Sequence, residues 1–286
     1  MAIKARLHRA LSLLGVTTLV AISVGVYPRL FGRKRLRFPY LSGQIAPAEY
    51  QRLAAFPGWS AAKLTVAPGI QLNGLVRRPS AQNAPWVLYY PGNDATQLRR
   101  GQAFLSRLND GKDWGLAVFA YRGYDSSAGV PAIADLGADA PVIVRELCKA
   151  EKLTPNRVHV VGFSIGGYLA VRATSALTRG GTPPASLSLM ASVNDIVMYR
   201  ESRWAKLDSG DDLLTQPFLG DLRGPVLVVQ GGADETLGGP VQGQAIANTL
   251  GGRAHYVELP GVGHNVLIET DDALRAVRTF IAGSEP

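Results

Sequence analysis

An α/β domain built on a mostly parallel sheet is the fold that this 286-residue sequence predicts, on three observations. From residue 86 onward, short apolar runs alternate with longer runs of helical period. The short runs, such as Trp86–Tyr90 and Val226–Gln230, are apolar almost without alternation, as strands buried on both faces must be. One of them, Arg157–Val161, leads into Gly162-Phe163-Ser164-Ile165-Gly166 and then into a helix-like run, Gly167–Ala173. A serine in that setting sits on a sharp strand-to-helix turn. The flanking glycines let two backbones pass closely, and the helix aims its N–H groups at the same spot.

Each element follows in order. Residues 38–61 hold Pro, Gly and aromatics without a period and read as a linker packed onto the domain. Lys63–Ala67 and Ile70–Val76, joined by Pro68-Gly69, read as a hairpin. Trp86–Tyr90 is a strand. Ala95–Asn109 is a helix, with Asp94 and Gln97 spaced as a capping box. Leu116–Ala120 is a strand, Ala132–Glu151 an amphipathic helix, and Val158–Val161 the strand before Ser164. Ser186–Met190 and Val226–Gln230 are strands, Pro240–Leu250 a helix, Ala254–Leu259 a strand and Asp271–Ala282 a closing helix. The domain thus runs from 62 to 284. The stretch 191–222 breaks the rhythm, with Met198, Tyr199, Trp204, Leu213, Leu214 and Phe218 among charged residues. It reads as a small helical cap over the mouth of the sheet, the alternative being an ordinary long crossover.

The net charge of +8 is local. Lys4, Arg6, Arg9, Arg29, Arg33, Lys34, Arg35 and Arg37 fall in the first 37 residues, which hold no acid, leaving 22 basic against 22 acidic residues in the rest. The domain itself therefore lacks the concentrated positive charge that a phosphate-binding groove needs, and nucleic acid is excluded as a partner. Between Arg9 and Arg29 lie nineteen uncharged residues, Ala10–Pro28, which as a helix reach about 28 Å, enough for a bilayer core. The basic cluster behind this run, and no small-residue cleavage pattern at its end, favour a retained membrane anchor over a cleaved signal. Five basic residues follow the span and three precede it, which favours a cytoplasmic domain. The single Cys148 lies in a helical run and reads as structural.

Ligands of open α/β sheets bind beyond the carboxyl ends of the strands, so the chemistry is sought there. Of the four histidines, His8 flanks the anchor and His159 and His255 lie inside strands. His264, in Gly261-Val262-Gly263-His264, follows the last strand and is the candidate base for Ser164. Asp234, in Gly231-Gly232-Ala233-Asp234, is the candidate acid that orients it, with Asp195 as the runner-up and Glu235 as a solvated neighbour. The order Ser164, Asp234, His264 is that of a nucleophile elbow followed by acid and base. Two backbone donors, the N–H groups of Ile165 and Asn93, are the candidate oxyanion hole, and Asp94 reads as a helix cap. This chemistry calls for no metal and no cofactor.

These pieces carry a resemblance. Tyr89-Tyr90-Pro91-Gly92-Asn93-Asp94, Tyr121-Arg122-Gly123-Tyr124, Val161–Gly167, Gly231–Asp234 and Gly261–His264 are similar to the motifs of the α/β-hydrolase superfamily over residues 62–284. The Tyr-Arg-Gly-Tyr piece and the anchor resemble its membrane-tethered serine hydrolases of esterase or serine aminopeptidase type. Those usually carry His-Gly-Asn where this chain has Pro91-Gly92-Asn93. The resemblance implies a serine hydrolase that cleaves an ester, thioester or amide through an acyl-enzyme. It leaves the substrate open, and the apolar residues of 191–222 with the anchor lean towards an acyl ester or lipid-like partner over a peptide. The alternative is an inactive scaffold of the same fold at the membrane.

Overall fold

The computed structural model describes residues 40–195 and 213–284. Eight strands form one sheet: β1 (Trp59–Ala67), β2 (Ile70–Arg77), β3 (Trp86–Tyr90), β4 (Gly115–Phe119), β5 (Val158–Phe163), β6 (Ser186–Met190), β7 (Val226–Gly231) and β8 (Ala254–Leu259). Their order is β1-β2-β4-β3-β5-β6-β7-β8. The pairs β1/β2 and β2/β4 are antiparallel and the other five are parallel. Among the described residues the helices are α1 (Pro47–Ala54), α2 (Gln97–Asn109), α3 (Ile133–Glu151), α4 (Ile165–Arg179), α5 (Gln216–Leu219), α6 (Val241–Leu250) and α7 (Asp271–Ala282).

The apolar runs without alternation are the central strands. Every residue of β3 to β7 is buried, whereas the edge strands β1 and β8 alternate. Two neighbours on β3 show that helices cover both faces. Tyr89 packs its ring 4.4 Å from that of Phe104 on α2, and Tyr90 points the other way to donate its O–H to Ala140 O on α3 at 2.6 Å. The buried stripe of α7, Ala273, Leu274, Val277 and Ile281, follows the spacing of one helical face. At β3 the strand order reverses, with β4 on one side and β5 on the other. This is the switch point where such sheets open a crevice.

The sequence reading needs three corrections. Residues 47–54, expected within a linker without period, form α1, and β1 starts at Trp59 rather than Lys63. The Asp94–Gln97 capping box does not form. Asp94 Oδ1 accepts from the N–H and O–H of Thr96 (2.8 and 2.9 Å), while the Gln97 amide is drawn into contacts between loops. The expected cap over 191–222 is seen only at its ends, where Asp195 bridges Leu214 and α5 follows; residues 196–212 lie outside the described ones. So does the membrane span expected over 10–28. Among the described residues, no helix is long and apolar enough to cross a membrane.

At the amino end of β5, His159 is completely buried, with Nδ1 2.8 Å from Ser186 Oγ on β6. Burial depresses its pKa to about 4. In the unfolded chain a histidine binds its proton near pH 6.5, so protons favour unfolding in the interval between these values. The stability that neutral His159 permits is complete above pH 6.5 and is lost as pH falls, by about 3 kcal/mol near pH 4 at 1.36 kcal/mol per unit. Asp125, whose carboxyl burial raises to about 6, acts in the opposite sense below pH 6. A His159→Gln variant is therefore expected to lose less stability than its parent between pH 7.5 and 4.5, read as urea midpoints at both pH values. Parallel losses in the two proteins would refute this.

Candidate active site

Ser164 stands between β5 and α4 with φ 56° and ψ −122°, a conformation that non-glycine residues adopt only under constraint. The constraints are visible. Ser164 N–H donates to Met190 O at 3.0 Å and Ser164 O accepts from Gly167 N–H at 2.9 Å. The glycines of the motif answer to contact. A Cβ on Gly162 would lie 2.4 Å from Gly166 O, and one on Gly166 would lie 2.0 Å from Tyr90 O and 2.5 Å from Pro91 O. The turn can be this sharp only because neither position carries a side chain. Ile165, next in sequence, is the first residue of α4, so its N–H belongs to the positive end of a 15-residue helix.

The loop after β3 reaches the same place. A Cβ on Gly92 would come within 2.8 Å of the Phe163 ring and 3.5 Å of Ser164 Cβ. Asn93 lines the cavity beside Ser164 and Ile165. Its side-chain carbonyl is engaged elsewhere, accepting from Leu41 N–H at 2.8 Å and from the Tyr124 O–H at 2.7 Å.

Asp234 and His264 arrive on two loops that hold each other. Ala233 N–H donates to Val262 O at 3.0 Å, and Gly231 lies so close to the second loop that a Cβ there would meet Val262 O at 2.3 Å. Asp234 is fully buried and His264 is 7% exposed. Asp234 Oδ2 lies 2.7 Å from His264 Nδ1, and His264 Nε2 lies 3.0 Å from Ser164 Oγ. An ionised carboxylate only accepts, so Nδ1 carries the hydrogen and Nε2 is left to accept the serine hydroxyl. The carboxylate also accepts from Gln230 Nε2 at 3.0 Å and from Leu237 N–H at 3.1 Å. The Phe163 ring lies 5.0 Å from the imidazole.

The structure thus brings Ser164, Asp234 and His264 into one hydrogen-bonded chain, with Asn93 and Ile165 on the wall of the same cavity. It does not bring Asp195 to the histidine: the Asp195 backbone is tied to the Gln242 side chain at the base of the insert. Glu235 is exposed, His255 is an exposed residue of β8 against Phe280, and His159 lies at the far end of β5. Sequence reasoning missed Gln230. Its signal was a polar residue inside an otherwise apolar strand, directly before the Gly-Gly-Ala-Asp turn.

Ser164 and His264 open onto a cavity of about 370 Å³. Phe163, Ile165, Val193, Leu213, Leu237 and Ile268 give it apolar walls, and Asp94 with Arg100, an ion pair, gives it a polar flank. Among the described residues, no group of His, Cys, Asp and Glu is arranged to hold a metal ion. The arrangement can draw the Ser164 proton onto an imidazole whose positive charge Asp234 then offsets. Asn93 and Ile165, the two candidate donors, line the same cavity as Ser164.

No family model matches the chain. Its relatives among curated proteins include protein bem46 of Schizosaccharomyces pombe, 29% identical over 104 residues that make up 35% of this chain and 33% of that protein. They also include the lysophosphatidylserine lipase ABHD12 of Danio rerio, 25% identical over 134 residues, 43% of this chain and 35% of that protein. The chain therefore matches about a third of the length of these relatives. Among solved structures, an esterase of Pyrococcus furiosus superposes with a TM-score of 0.66 at 15% identity, over 89% of this chain and all of the other. Sheet order, serine turn and superposition agree: this chain has the α/β-hydrolase fold.

Proposed function

We propose that the protein is a serine hydrolase that cleaves acyl esters. Ser164 Oγ attacks the ester carbonyl and passes its proton to His264 Nε2, and the N–H groups of Ile165 and Asn93 bind the oxygen that becomes negative. The tetrahedral species collapses as His264 returns the proton to the leaving alcohol, giving an acyl-enzyme. Water, deprotonated by the same imidazole, then releases the acid. Asp234 keeps the ring in its tautomer and stabilises its charged form.

The observation that carries this reading is the unbroken chain Asp234–His264–Ser164, with contacts of 2.7 and 3.0 Å, opening on an apolar cavity. The esterase superposition and the lipase relative support the ester over the amide. The test is a fluorophosphonate probe on the folded full chain. The expected result is an adduct on Ser164 in the wild-type protein and none in Ser164→Ala. Absence of labelling on folded wild-type protein would instead favour an inactive scaffold.

Cavity size bears on the acyl group. At about 370 Å³ the cavity stands at the lower end of the range for small-molecule sites, roughly 300–1,000 Å³. Esters of short and medium acids are expected to give higher kcat/KM than long-chain ones on a series of p-nitrophenyl esters; a rise through sixteen carbons would contradict this. Gln230→Met removes one donor from a buried carboxylate, an interaction of roughly 1.5–3 kcal/mol, so kcat/KM should fall about ten- to a hundredfold with the fold intact. The apolar run 10–28 extends the proposal to a membrane tether, and the full chain should then stay with membranes washed in alkaline carbonate. Its release by that wash would refute the tether alone.

A further inference from the structure

The loop that carries Asn93 is gripped from behind by one turn. Tyr121 donates its O–H to Pro91 O at 2.7 Å. The fully buried Gln97 amide bridges the two segments, donating to Gly92 O and accepting Tyr121 N–H, each at 3.0 Å. Tyr124, also fully buried, donates its O–H to Asn93 Oδ1 at 2.7 Å. Asp125, 1% exposed, accepts Leu98 N–H in the first turn of α2 at 2.6 Å, and its other oxygen has no hydrogen-bond partner.

The turn is itself held in an uncommon shape. Asp125 and Ser126 are consecutive non-glycine residues with φ of 43° and 65°. Asn73 and Ser127 brace them: Asn73 Nδ2 donates to Asp125 O at 3.2 Å, and Ser127 Oγ donates to Ala120 O at 2.9 Å. Arg122 forks onto Asp139 of α3 in a largely buried pair. Both tyrosine hydroxyls of this strained, doubly anchored turn end on the loop, and its carboxylate ends on the first turn of the helix that follows the loop, which is more than the loop needs merely to stay folded. On its other side the loop meets the serine turn at Gly92 and Gly166, with no room to move towards it.

We propose that Tyr121–Ser127 is a positioning clamp for the oxyanion loop, and that Tyr124 acts through the Asn93 side chain to fix where the Asn93 N–H points. The inference rests on the serine-hydrolase reading of the site. An oxyanion donor works only within a few tenths of an ångström of its ideal distance, because it must fit the transition state rather than the ground-state carbonyl. Holding Asn93 by its side chain turns its backbone into a rigid part of the site. Tyr124 and Gln97 are positioning residues; neither is assigned a contact with substrate.

The test is a double-mutant cycle on the full chain with a neutral p-nitrophenyl ester, alongside the Ki of a trifluoromethyl ketone that forms the tetrahedral adduct. Tyr124→Phe removes one oxygen from a buried ring. It is expected to lower kcat about tenfold and to weaken the ketone to the same degree, with KM within twofold. Asn93→Ala keeps the backbone N–H but removes its anchor, and should do the same. The double variant should be no worse than Asn93→Ala, since the hydroxyl acts only through that side chain. Additive losses would overturn the proposal, as would an unchanged Ki, or a kcat loss that tracks a fall in Tm. Gln97→Glu, which removes the donor to Gly92 O in the same volume, provides an independent arm with the same expected split. If the wild-type chain turns over no ester, the serine-hydrolase reading fails; if it does and Tyr124→Phe matches it, the clamp alone fails.

Discussion

Ser164→Ala is expected to lower ester turnover by about 10⁴–10⁶-fold while leaving the urea midpoint close to that of the wild-type protein. The size of the loss follows from the geometry. The nucleophile, its base and the acid behind it form one chain, and removing the attacking atom leaves only binding and the oxyanion donors, which in such systems retain a small part of the acceleration. Stability is spared because the hydroxyl of Ser164 makes a single hydrogen bond among the described residues, to His264 Nε2, and the backbone at this position is held by Met190 O and Gly167 N–H, which the substitution does not touch. Steady-state kinetics and denaturation of one preparation check both halves. Residual turnover above about one hundredth of wild type would show that another group performs the attack.

Gly166→Ala carries the opposite signature. Its Cβ would sit 2.0 Å from Tyr90 O, 2.5 Å from Pro91 O and 2.6 Å from Tyr90 C, all backbone atoms of the central sheet and the loop after it. No rotamer relieves such a clash, so β3 and the serine turn must separate. A cost of about 3–5 kcal/mol is expected, at the high end for single substitutions, or about 10 °C or more in Tm for a domain of this size. Activity should fall as well, since the same displacement opens the oxyanion site. Gly220→Ala is the control: Gly220 has a helical φ of −63° and nothing within 4 Å of its Cβ position, so alanine there should be neutral. Equal Tm values for the two variants would show that the close approach at Gly166 is not a packing constraint.

Much of this architecture was legible in the sequence because the governing signals are local. Ser186–Met190, Ala254–Leu259 and Asp271–Ala282 begin and end where their periods do. The serine turn, Asp234 and His264 were legible because the fold confines chemistry to strand ends, which left one histidine and a favoured acid. The misreadings are tertiary. Asp94 and Gln97 have the spacing of a capping box, but the Gln97 amide makes better use of two exposed backbone groups, Gly92 O and Tyr121 N–H, that only the fold brings near it. Helix α1 was hard to read because it is only eight residues long and its apolar stripe, Tyr50, Leu53 and Ala54, covers barely one turn and is only partly buried against the core. Gln230 was passed over because a lone glutamine shows its role only once Asp234 stands beside it.

The His159–Ser186 contact now has a second meaning. Strand β5 has a serine–histidine pair near each end, and the one at the amino end, at 2.8 Å, is the tighter of the two. Nothing follows from that closeness. His159 has no carboxylate partner, its other nitrogen is unpartnered in the core, and Ser186 borders a void of about 10 Å³, no larger than one water needs. The molecule thus carries its own control for any serine-directed reagent: modification of Ser164 with an untouched Ser186 would show that reactivity comes from the acid, the cavity and the oxyanion donors, and not from pairing a hydroxyl with an imidazole.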